Sequence, residues 1–274
     1  MNQEPTLPRE KHMEKGLSLF DEHGRLIPAA TARVYGKVSR RYFNLLQPQL
    51  NYSRIHGNIQ KHLQMANIIS AADFESISKR LLETLRKDVR AKDLLNGVHV
   101  PFFCPVSTQN GDYGQELDDV YLKAVGSAFK ERFPEYSFTN YCAGQLAGQI
   151  AVDSGSRHER FLDSRKQGAV VGWYFPNCLS EYAVPDQRAL ISSLPIPLLL
   201  SGGFDAAAAF IGSPDLLMKT DNNYPHLLCL SALTPNAGPF FYHFETYGWN
   251  LTFNRRSYIG AVSEYWAGGL TVIA

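Results

Sequence analysis

Ser201-Gly202-Gly203-Phe204-Asp205 is the stretch of this chain whose residue types and spacing could most directly do chemistry. The apolar run 198–200 precedes it and the alanines 206–209 follow it. A strand feeding a glycine turn and a helix start leaves backbone N–H groups and the positive end of a helix dipole free for an anion. Ser201, Gly202 and Gly203 are therefore candidate phosphate-binding residues, with Asp205 a candidate catalytic or capping side chain. The plainer alternative is a tight turn in which Asp205 caps a core helix. A second stretch, 240–250, sets His243, Glu245 and Asn250 among aromatic rings, as ligand pockets and interfaces do. A site is expected where 201–205 meets 240–250, with Asp205, His243 and Glu245 its candidate polar groups. The same aromatic half could also serve self-association.

Cys142 offers different chemistry. A thiolate nucleophile needs a nearby imidazole, which in turn needs an orienting partner, and Cys142, His243 and Asn250 occur in that order. The order is similar to that of papain-like peptidases and implies a thiol hydrolase, although the family's local signature around its cysteine is absent. Ser201-Gly-Gly-Phe-Asp205 resembles the pyrophosphate loop of ATP pyrophosphatases, which reads Ser-Gly-Gly-x-Asp-Ser. That resemblance covers about ten residues and implies a nucleotide-dependent enzyme. The second serine of the pattern is Ala206 here, and only 69 residues follow Asp205.

Other clusters carry less. His99 and Cys104 have no further ligands at metal-site spacing, and His56 and His62 do not share a helix face. No metal and no cofactor is expected. Arg33, Lys37, Arg40 and Arg41, with Tyr35 and Tyr42 nearby, could meet phosphates and bases. A net charge of +1 argues against a nucleic-acid partner and favours a solvated face. The four cysteines are widely spaced and lack a Cys-x-x-Cys pair, so reduced, inert thiols in a cytoplasmic, soluble protein are expected. The longest run without acids or bases, 222–244, contains three prolines, and the polar N-terminus has no apolar signal segment. No membrane partner is expected.

The elements that must position these residues divide the chain by charge. Residues 1–166 carry 42 charged side chains, whereas 167–274 carry 11. Helical spacing predicts helices over 28–47, 52–67, 71–96, 115–133 and 156–167, the third capped by Ser70 and the fifth opened by Ser156-Arg-His-Glu159. Prolines 101 and 105 confine 98–106 to a sheet edge. Two short strands joined by a turn are expected within 136–152. Strands are then expected over 169–175, 198–200, 227–233, 240–246, 250–255 and 270–273, with a loop over 176–184 and a short helix after Ser213-Pro214. Tyr247-Gly248-Trp249 should close a hairpin. The fold class is α+β: a helical front packed on a mixed or antiparallel sheet formed mainly by the back. Residues 1–16 are expected to be a loose arm and 17–274 one domain, helix-rich over 28–166 and strand-rich over 167–274. Beyond a small-molecule or partner site, the residues leave enzyme, binding module and structural protein open.

Overall fold

The computed structural model describes residues 18–29, 31–35, 43–64, 69–107 and 111–274. Its strands are β1 (Val100–Cys104), β2 (Phe138–Asn140), β3 (Ile150–Val152), β4 (Val170–Ser180), β5 (Leu198–Leu200), β6 (Leu227–Cys229), β7 (Leu233–Pro235), β8 (Phe240–Tyr247), β9 (Asn250–Ser257) and β10 (Trp266–Ile273). Eight of them make one mixed sheet in the order β1-β4-β10-β6-β8-β9-β2, with β5 also on β10. The α+β class follows, with helices mostly in the front half and strands mostly in the back.

The helices are α1 (Tyr52–His62), α2 (Ala71–Lys87), α3 (Tyr113–Glu116), α4 (Lys123–Arg132), α5 (Glu159–Gln167), α6 (Val184–Leu190) and α7 (Gly203–Gly212). A π-helical segment, Leu117–Leu122, joins α3 to α4 without a break. Every residue of α7 is buried, as a helix apolar all round must be. It lies against β1, α1 and α4 on one sheet face. One hydrophobic cluster there draws Ile55, Phe74 and Tyr121 from the front and Phe210, Phe244 and Phe253 from the back. The other face buries Trp173, Phe175, Leu198 and Leu270 under Leu82 and Leu85 of α2 and under Phe20 and Leu26.

Local signals hold where neighbours a few residues away decide them. Ser70 accepts the Asp73 N–H at the start of α2, and Tyr247 pairs with Asn250 across a two-residue turn with Gly248 at φ +63°. β1, with Pro101, is an edge strand. Longer-range expectations need correction. The helix expected over 28–47 is absent where the chain is described: Val34 bridges Tyr182 and Phe43 bridges Tyr224, both in extended backbone. Lys37, Arg40, Arg41 and Tyr42 of its basic face, and the arm 1–16, lie outside the described residues. The strands within 136–152 do not pair with each other. β2 joins β9 in parallel and β3 joins β7, because Asp118 and Asp112 accept the Gly144 and Gly148 N–H groups and hold the intervening turns. β4 runs through Pro176 to Ser180, the loop expected there being paired with β10. The segment after Ser213 is a single 3-10 turn, Pro214–Leu217.

Candidate functional site

The turn 201–205 is built inward. Ser201 N–H and Oγ–H both donate to Gly269 O, each at 3.1 Å. Gly202 N–H donates to Asp205 Oδ1 at 2.9 Å, and Gly203 N–H donates to the Tyr113 hydroxyl at 2.8 Å. Thr271 Oγ1–H donates to the second Asp205 oxygen at 2.6 Å. Asp205 is fully buried, and burial raises its pKa against the pull of His158, Thr271 and Gly202. The N–H groups a phosphate would require thus already have partners, and Asp205 fastens the first turn of α7 to β10. Both glycines serve close approach rather than an unusual backbone angle. A Cβ on Gly202 would lie 2.5 Å from His158 Nε2, and one on Gly203 would lie 2.7 Å from Leu117 Cδ2.

The structure does not bring the other candidates to that turn. Side chains alternate across a strand, so Tyr242 and Phe244 of β8 face α7 whereas Phe241, His243 and Glu245 point to the opposite sheet face. Phe244 meets Phe210 of α7 at 4.7 Å between ring centroids, and Phe241 meets Trp266 beneath the other face at 5.1 Å. Asp205 and His243 are therefore on opposite sides of the sheet. His243 is 1% exposed and burial depresses its pKa to about 3, while Glu245 pairs with Arg256 at 3.2 Å. Cys142 belongs to the cluster on the α7 side, away from His243, and burial pushes its thiol up to about 11. Asn250 accepts from Ser137 N–H and Oγ–H rather than orienting an imidazole. His99 and Cys104 end on different contacts, the thiol against Phe204 O and the imidazole against Gly97 O. Arg33 pairs with Asp186 at 2.8 Å. Of the aromatic back half, Tyr247 and Tyr258 stand exposed, and Phe241, Tyr242, Phe244 and Phe253 are core.

A concavity among the described residues lies elsewhere. A cleft of about 660 Å³ opens between the turn at His23–Arg25, the extended segment 43–47, the loop 95–99, the end of β4 and His226. Its walls are fixed by short-range bonding. Asp21 accepts from the N–H groups of His23 and Arg25 and pairs with the Arg25 guanidinium at 3.0 Å. Gln47 and His99 exchange two hydrogen bonds, each 2.9 Å, between the Gln47 amide and the His99 backbone. Gly24, at φ +72°, passes so close to Gly97 that a Cβ would sit 2.3 Å from its nitrogen. His99 rests on Trp173 and Phe175.

His226 stands out in this cleft. It is 2% exposed, neither ring nitrogen has a partner among the described residues, and burial together with the Arg25 charge lowers its pKa to about 4. A neutral imidazole there offers one donor and one acceptor. Asn44, Asn177, Ser180 and His99 add polar atoms to the lining, in which no carboxylate stands among the described residues. No signal along the chain marks these residues, because they come from five separate stretches and share no motif. Among the described residues, no group of three or more His, Cys, Asp or Glu side chains could hold a metal ion, and no helix is long and apolar enough to cross a membrane. No family model, curated protein or solved structure matches the chain.

Proposed function

We propose that this chain is a binding module that seats a small polar ligand in the cleft at His226. The observation that carries this reading is the buried imidazole whose two nitrogens have no partner among the described residues. Leaving a buried donor or acceptor unsatisfied costs about 1–3 kcal/mol, so such groups are rare unless something else meets them. A ligand that accepts from one nitrogen and donates to the other would recover that cost. Binding is favoured over catalysis because the Ser180 hydroxyl in the cleft donates to Asn177 O rather than to an imidazole, and because Cys142 and His243 lie on opposite sheet faces. Asn44, exposed on the cleft wall, provides the control.

A library of small polar fragments, followed through the ring resonances of His226 and His99, tests the reading. Fragments should shift both histidines in the wild type and neither in Asn44→Trp, which fills the cleft from an exposed position. Fragments that shift neither histidine at millimolar concentration, or that act equally on both proteins, would exclude this cleft as the seat.

A further inference from the structure

The charge of the lining narrows the ligand, an argument that rests on the cleft being the binding site. Among the described residues, Arg25, His23, His99 and His226 line it and no Asp or Glu does. Asp21 lies behind the Arg25 guanidinium, holding it by two contacts of 3.0 and 3.1 Å. Both Arg25 and His226 line the cleft, and after burial the Arg25 charge is what disfavours the imidazolium at His226 among the described residues. Asp21 offsets part of the Arg25 charge from outside the lining, but a cationic guest would still meet Arg25 with no carboxylate among the described lining residues, whereas an anionic oxygen would be attracted to Arg25 and could accept from His226.

We propose that the cleft takes a ligand bearing an anionic oxygen group, a carboxylate or a phosphate, held between Arg25 and His226. Its charge would cancel the Arg25 field at His226, so binding and proton uptake by the imidazole from solvent reinforce each other. Affinity then rises as pH falls, and bound anion raises the apparent pKa of His226.

The test follows the His226 ring resonance of the full chain against pH, with acetate, inorganic phosphate and neutral acetamide as probes. Acetate, phosphate or both should bind and raise the His226 pKa, the comparison between them identifying the oxyanion. Acetamide should leave that pKa unmoved. Arg25→Gln, a partly exposed substitution that keeps the Asp21 turn, should weaken anion binding about 10- to 100-fold, the range of a lost charge-assisted bond. His226→Gln should abolish the pH dependence of affinity.

Tight binding of acetamide with weak or absent anion binding would overturn the anion assignment and leave the cleft reading intact. Anion binding unchanged in Arg25→Gln would place the anion elsewhere and overturn the proposal. Silence of His226 toward all three probes would remove both readings.

Discussion

Arg165 of α5 donates through Nη2 to Glu116 of α3 at 2.5 Å, with the two side chains only 1% and 10% exposed. The guanidinium also donates to Pro105 O and lies over the Phe204 ring at 4.4 Å, so one buried ion pair ties two helices to the start of α7. Removing one partner strands the other charge. Glu116→Ala should therefore cost about 3–5 kcal/mol in urea unfolding. The double variant Glu116→Leu/Arg165→Met should recover most of that loss. A single substitution costing less than about 1 kcal/mol would show that water reaches the pair.

The glycine turn should answer to volume. Gly202→Ala should cost about 1–3 kcal/mol, because His158 and the Tyr113 hydroxyl occupy the space of the new Cβ. Gly203→Ala meets the flexible end of Leu117 and, at 3.3 Å, the Tyr113 hydroxyl, and should cost less. Asp205→Asn should cost about 1 kcal/mol or more, since both carboxylate oxygens accept hydrogen bonds and an amide offers one acceptor. ATP should leave the melting temperature of the wild type unchanged. A rise with ATP that disappears in Gly203→Ala would restore the phosphate role of Ser201, Gly202 and Gly203.

Thiol reactivity should be low throughout. All four cysteines are buried, and burial pushes Cys104 up to about 12 and Cys142 up to about 11, with Cys178 and Cys229 also raised. Iodoacetamide at neutral pH should modify the native protein only as denaturant opens it. Fast, stoichiometric labelling of Cys142 would return the thiol hydrolase to consideration.

Acid should destabilise the protein through its buried imidazoles. The folded state holds His226 near pKa 4 and His243 near 3, below the ordinary 6.5, so it binds fewer protons than the unfolded chain between those values. Stability is then complete above about pH 6.5 and falls on acidification, by at most about 1.4 kcal/mol per pH unit for each histidine. His226→Gln should flatten the slope between pH 6.5 and 4 relative to wild type. Parallel slopes would show that His226 is hydrated.

Limited proteolysis checks whether 17–274 behaves as one unit. The cluster around α7 takes residues from both halves, and Arg165 is buried beside the change in charge density at residue 166. No stable fragment ending near 166 should accumulate. Such a fragment would demonstrate two independent domains.

Caps, periodicity and turn chemistry made the α+β class legible in the sequence. The Ser70 cap, the Gly248-Trp249 turn, the edge position of Pro101 and the burial of 206–209 depend on residues within about one helical turn or one strand pair. Alternation along β8 also puts Phe241, His243 and Glu245 on one face. Which face meets α7 is not a local property. It was decided by Phe244 packing on Phe210, which separates His243 from Asp205 by the thickness of the sheet. The same holds for β2 and β3, whose partners lie about a hundred residues away for one and eighty for the other. The cleft was least legible of all. His23, Arg25, Asn44, His99, Asn177 and His226 carry no shared spacing, and only the closure of long loops by hydrophobic burial brings them to one wall.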